Sequence, residues 1–208
     1  MDAEPTEPTV PSTTGTTAAA TTAVATTPAD DEAGIDAAEL AGLQFMEARA
    51  NHDAELLVAI MAPDASFGGS ELAQRVDDYA LLTRYEQIVD WQFLDVSCNA
   101  GSADRVVCSY TLQDAFNEHA GQGPYPGSSF LLELDGNQII RATHNVDAPD
   151  EFFAATEVGF FAWVRDNHPD DLDVMVDDRI LGIAPVSLTV ESIDLWDEHV
   201  NSFLDSDE

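Results

Sequence analysis

Two cysteines, Cys98 and Cys108, lie in "WQFLDVSCNAGSADRVVCSYTL", where two β-rich runs flank the turn cluster "NAGSAD". Centring the turn on Ala103 sets Cys98 opposite Cys108, Val96 opposite Tyr110 and Leu94 opposite Leu112. Directly opposed strand positions bring Cβ atoms close enough for a disulfide. The pattern therefore predicts a bridged hairpin, in preference to two free buried cysteines. A closed loop this small contributes about 2–3 kcal/mol. It also implies an oxidising compartment.

The 208 residues suit one domain plus appendages, and a hydrophobic share of 45% is enough for a core. Seven Lys+Arg, all of them arginine, stand against 40 Asp+Glu, a net charge of −33. Phosphate binding depends on cationic side chains, so this balance excludes nucleic acid and anionic lipid as partners. It suits solubility in salty surroundings, where counterions screen self-repulsion. No apolar run reaches the length of a membrane span, and the N-terminus lacks the basic and apolar regions of a signal peptide. Residues 1–34 are Thr, Ala and Pro with almost nothing to bury, so a disordered tail or stalk is expected there. Stalk and disulfide together point to an extracellular or cell-surface protein whose signal or anchor lies outside this chain. A cytoplasmic protein of a high-salt organism is the alternative.

Residues 35–208 read as the folded domain. Asp36 is expected to begin the first helix, with Glu39 as capping-box partner and Leu40, Leu43, Met46 and Ala50 at helical spacing. Asp53 caps a second helix, "AELLVAIM", after which "APDASFGGS" reads as a stop at Pro63, a turn and two glycines. A third helical stretch over 72–89 carries Val76, Tyr79, Leu82 and Val89 on one face. Strands are predicted at about 91–98, 105–116, 128–135 and 138–147, the last two joined at "LDGNQ". An aromatic helix follows in "DEFFAATEVGFFAWVRDNH", and the last helix bears Ile193, Trp196, Val200 and Phe203 in one stripe. Helices, a strand meander and further helices predict an α+β fold, a curved antiparallel sheet wrapped around the N-terminal helices.

The combination of "NHDAELLVAIMAPDASF", a third helix and a meander closing with "FLLELDGNQIIRATHNVD" resembles the nuclear transport factor 2-like (SnoaL-like, cystatin-like) superfamily over residues 36–147. Residues 148–208 form a helical extension beyond that core. The resemblance implies a cone-shaped domain with a pocket between sheet and helices. It also implies functions ranging from isomerases and cyclases to binding modules that dimerise through the open sheet face, so a homodimer is one expectation. Carried over from ketosteroid isomerase, the oxyanion-hole tyrosine falls at Phe45, the general base at Gly69 and the protonated aspartic acid at Phe130. None of these three can donate to an enolate or take up a proton, so that mechanism is disfavoured.

Other chemistry needs other residues. If the final hairpin has a three-residue loop, Asp135–Asn137, then Phe130, Leu132, Ile140, Ala142 and His144 share one face, while Tyr110, Leu112, Asp114 and Phe116 share a face of the preceding strand. His144, Asp114 and Tyr110 then become polar groups in an apolar wall, an acid–base set for elimination, isomerisation or cyclisation, unless Asp114, just before the loop "NEHAGQGPYPG", caps a turn instead. Tyr85, Trp91, Phe45 and Phe130 are expected to line the pocket. The favoured reading is binding of a small apolar ligand or a partner, with the His144-centred lyase or isomerase as the alternative. His52, His119, His144, His168 and His199 lack paired ligand spacing, so no metal is expected. The acidic runs at 147–151 and 168–173 read as solvated faces rather than calcium loops. No P-loop, Rossmann fingerprint or nucleophile elbow is present, so no cofactor is expected.

Overall fold

A computed structural model describes residues 28–68, 79–147, 150–176 and 186–206. Helix α1 spans Pro28–Ala50, starting ahead of the expected Asp36. Proline suits the first helical position. Glu39 does not cap the helix; its Oε1 accepts from the backbone N of Ala100, 3.1 Å away, which ties α1 to a strand. The buried face also differs from the expected stripe. Ala38, Ala41, Phe45, Met46, Ala48 and Arg49 face inward, whereas Leu40 is 57% and Leu43 47% exposed. Small residues win that face because they let the helix approach the sheet closely.

Asp53 caps α2, Ala54–Ile60, accepting from Leu56 N at 2.9 Å. The chain then passes directly into strand β1, Met61–Gly68, where a turn was expected. Pro63 is tolerated because β1 is an edge strand, where a missing N–H need not break a ladder. Helix α3 covers Tyr79–Ile88; the expected contribution of Val76, like Gly69, lies outside the described residues.

Four more strands follow: β2 Gln92–Ser102, β3 Arg105–Gln113, β4 Tyr125–Asp135 and β5 Gln138–Asn145. The curved, open sheet has the order β1-β5-β4-β3-β2, with β1 parallel to β5 and the other pairs antiparallel. Cys98 opposes Cys108 as expected, and the two are bonded. Further along, the register departs from the expected one. An irregularity between Leu94 and Ser97, with Asp95 at φ 53°, sets Phe93 opposite Leu112 and Leu94 opposite Thr111. Phe93 thereby turns into the core and Leu94 turns outward. The β4–β5 hairpin also differs. Its turn holds two residues, Gly136 and Asn137, and a register shift after Glu133 buries Ile139 while Ile140 is 39% exposed. Phe130, Leu132 and Ala142 keep the inward face they were expected to share.

The C-terminal section continues the same core. Helix α4, Ala115–His119, precedes β4. After β5 come α5 Asp150–Ala154, a π-helical segment Ala155–Phe160, α6 Phe161–Asn167, α7 Leu172–Met175 and α8 Val190–Leu204. Trp196 of α8 is fully buried, 5.0 Å from the Tyr85 ring and 5.1 Å from Phe160. Helix α8 therefore seals the outer side of α3. Among the described residues, no helix is long and apolar enough to cross a membrane.

Helix α1 lies across β2 and β3, and Gly42 sets how close it comes. A Cβ there would fall 2.8 Å from Cys108 Sγ, 3.1 Å from Val106 Cγ2 and 3.3 Å from Cys98 Sγ. The bridged sulfurs cannot swing away. We expect Gly42→Ala to lose about 1–3 kcal/mol from overpacking, more than the gain of about 1 kcal/mol in helix propensity. Urea unfolding measures the net change; an unchanged or raised midpoint would show that α1 shifts freely on the sheet.

Candidate functional site

Arg49 occupies the last turn of α1, where a basic side chain ordinarily reaches back to water and the helix's negative end. Here it points inward and is 1% exposed. Its Nη2 donates to Oε1 of Glu86, a residue of α3 with no exposed surface. Tyr79 and Glu86, seven residues apart, are two turns apart on the buried face of α3. Four rings surround the guanidinium: Phe130 at 5.0 Å, Phe67 at 5.3 Å, Phe93 at 5.4 Å and Phe45 at 5.9 Å. Cation–π attraction assists at such distances. The ion pair still carries the cost of leaving water, which attraction offsets only when the remaining polar atoms are satisfied.

Here they are not. Arg49 Nε and Nη1, Glu86 Oε2, Tyr79 Oη and Trp91 Nε1 are buried with no hydrogen-bond partner among the described residues. Buried polar atoms are nearly always paired, so three unpaired atoms on one ion pair, with Tyr79 Oη and Trp91 Nε1 on neighbouring side chains, single this place out. Burial pushes the Glu86 carboxyl up, and the adjacent Arg49 works against that rise. Burial also raises the Tyr79 hydroxyl to about 12, again opposed by Arg49.

His144 of β5 closes another side. Its ring stacks on Phe130 at 4.2 Å and 14°, and its Nε2 shares a hydrogen bond with the Tyr110 hydroxyl of β3. The residue is half-buried. Burial holds the imidazole well below its ordinary range, with the Arg49 charge adding to the effect. Tyr110 is pushed up, chiefly by burial. The result is a neutral imidazole beside a neutral phenol, with a cation nearby.

The expected site residues fall into two groups. Phe45, Phe130, Tyr110 and His144 come together around the ion pair, and Trp91 joins them, stacked on Phe93 at 6.2 Å and 5.9 Å from the His144 ring. Tyr85 turns the other way, edge-on to Trp196 between α3 and α8. Asp114 is also separate: its Oδ1 accepts from Asn117 N and Nδ2, both at 2.8 Å, and caps α4. That local capping uses the carboxylate as a turn residue, and the partner of His144 is Tyr110. Arg49 and Glu86 are absent from the expected set. The signal for Arg49 was its position four residues after Phe45 on the face of small residues.

No protein-family model matches the chain, and no curated protein does. Among solved structures, the "putative polyketide cyclase" of Xanthomonas campestris pv. campestris is similar, at 16% identity and TM-score 0.47, over 59% of this chain and 98% of its own. The LEH-like epoxide hydrolase of M. tuberculosis is similar at 20% identity and TM-score 0.41, over 64% of this chain and 98% of its own. An NTF2-like protein of unknown function from Cytophaga hutchinsonii is similar at 14% identity and TM-score 0.39, over 54% of this chain and 91% of its own. At these identities the likeness is one of fold.

The buried pair predicts an asymmetric mutational response. Arg49→Met alone should cost about 3–5 kcal/mol by stranding Glu86, whereas Arg49→Met with Glu86→Leu should recover most of the loss. Chemical unfolding decides it: a single variant within about 1 kcal/mol of wild type would mean that the pair is already solvated.

His144 gives a pH signature. Its folded pKa lies below that of free histidine, so its contribution is complete above pH 6.5 and is lost as pH falls below it. Glu86 has the opposite sign: its raised pKa favours the fold at low pH, a contribution lost as pH rises above the ordinary carboxylate range. Between pH 7.5 and pH 5.5, wild type should therefore lose more stability than His144→Asn. Parallel pH profiles for the two would show that His144 takes up its proton freely in the folded protein.

Proposed function

We propose that the aromatic interior around Arg49 binds a small, largely apolar molecule carrying one anionic or strongly polarised oxygen. The observation that carries this reading is the set of five unpartnered polar atoms. Four of them are donors when Arg49 is charged and Tyr79 neutral, namely Arg49 Nε and Nη1, Tyr79 Oη and Trp91 Nε1, and one is the acceptor Glu86 Oε2. That excess of donors suits an acceptor-rich head group such as a carboxylate, an enolisable ketone or a phenolate. The rings of Phe45, Phe67, Phe93 and Phe130 suit an apolar or aromatic body.

A second reading is isomerase, lyase or cyclase chemistry on the same ligand. It is favoured by two proton acceptors with displaced affinities, Glu86 raised and His144 lowered, beside a fixed cation. Glu86 would take a proton from carbon next to a carbonyl, and Arg49 would steady the negative charge that develops on the oxygen. The Cys98–Cys108 bridge further supports residence in an oxidising compartment, reached by export.

Native mass measurement on protein isolated from its own cells tests ligand and compartment together. The expected species carries a releasable small-molecule adduct and weighs two hydrogens less than the reduced chain. The adduct should disappear in the Arg49→Met, Glu86→Leu double variant. A bare native mass, with no thermal shift from aromatic carboxylates or ketones, would sink the binding reading, and two alkylatable thiols would sink the compartment. Solvent-deuterium exchange into a bound ketone, abolished in Glu86→Gln, separates catalysis from binding; bound ketone without exchange leaves binding alone.

A further inference from the structure

Far from the ion pair in the sequence, the turn between α6 and α8 gathers three metal-ligating side chains. His168 stands at the end of α6, its backbone N bonded to Val164 O at 2.6 Å, and Asp171 sits immediately before α7. The Asp171 N donates to His168 O at 3.1 Å, so the turn itself fixes the spacing of these two. His199 approaches from α8, on the face that also buries Trp196 and Val200. His199 Nε2 is 2.9 Å from Asp171 Oδ2, and His168 Nδ1 is 4.0 Å from the same oxygen. The two imidazole rings lie 4.2 Å apart, and the ligand atoms of all three residues fall within 4.8 Å of one another.

We propose that His168, Asp171 and His199 bind a single divalent transition-metal ion of the zinc class. Zinc takes histidine nitrogen and carboxylate oxygen at about 2.0–2.2 Å, so two of its ligand atoms in a tetrahedral site stand about 3.3–3.6 Å apart. The separations of 2.9 and 4.0 Å lie within about 0.7 Å of that spacing, and the third pair, no more than 4.8 Å apart, has to close by about 1.5 Å at most. Burial steadies the site on one side: His199 is 1% exposed and directs its Nε2 at Asp171 Oδ2. Imidazole selects zinc, cobalt, nickel or copper over magnesium and calcium, which prefer all-oxygen sites. His168 and Asp171 are 38% and 35% exposed, which gives an ion a way in and leaves its fourth position to water. A bound ion would fasten the α6–α7 turn to α8. It rests on none of the residues around Arg49 and stands apart from the reading of that site.

The test uses the full chain, stripped with a chelator and titrated with Zn²⁺ calorimetrically in physiological salt with excess Mg²⁺ to suppress diffuse binding to the acidic surface. Saturation at one ion and a raised Tm are expected in wild type. His168→Ala and Asp171→Asn, both at partly exposed positions, should weaken binding by at least about tenfold. His168→Gln serves as a milder replacement if the alanine variant unfolds. Cobalt provides a spectroscopic check, since a tetrahedral nitrogen–oxygen site gives strong visible absorption. Trp163, 5.4 Å from the His168 ring and 6.3 Å from His199, should report Cu²⁺ by quenching. Binding that never saturates at one ion, affinity unchanged in these variants, or no binding to wild type would overturn the proposal.

Discussion

A guanidinium held out of water dictates how the inside of this molecule is organised. Arg49 reaches the interior only because α1 presents small residues to the sheet, and it stays there only because Glu86 meets it from α3. The three layers converge at this contact: first helix, third helix and the concave face of the sheet, whose Phe93 and Phe130 rings cover the charge. Moving any one of them would leave a charge buried without its counter-charge, a far larger penalty than a lost van der Waals contact. The same arrangement leaves more donors than acceptors facing inward.

What could be read from the chain beforehand was whatever depends on short range. Opposed cysteines around a turn fix a hairpin locally, and the sequence reading placed them correctly. It failed one step along the same strands because a bulge at Asp95 has no strong signature: Asp is merely tolerant of positive φ. The helix face was misread for a related reason. Leu40 and Leu43 look like core by hydrophobicity, yet close approach to a disulfide selects Ala38, Ala41 and Gly42 instead. Arg49 and Glu86 were invisible because each alone looks like a solvated charge; only their mutual contact, 37 residues apart in sequence, makes burial tolerable. Alternation places His144 and Tyr110 on one face of the sheet, and Asp114, whose position before a loop suits a cap, takes that role on α4 and leaves the wall.

The C-terminal helices extend the domain rather than decorate it. Phe160, Phe161 and Trp196 pack together and reach Tyr85 and Phe116, so the outer side of α3 is core rather than surface. This explains why α3 can bury Tyr85 on one side and Glu86 on another: an isolated helix at the edge of a smaller domain would leave one of them wet.

The parallel pairing of β1 with β5 has a consequence for assembly order. Phe67 sits beside Ala142 in the finished sheet, so the strand that carries it has no ladder partner until the chain has been synthesised through β5. The other pairs join sequence neighbours, β2–β3 and β4–β5 by tight turns and β3–β4 through α4, and such contacts cost less loop entropy to close. The ring of Phe67, one of the four around the guanidinium, is thus seated only after the meander exists. On loop entropy alone, the charged interior is enclosed last, from its edge.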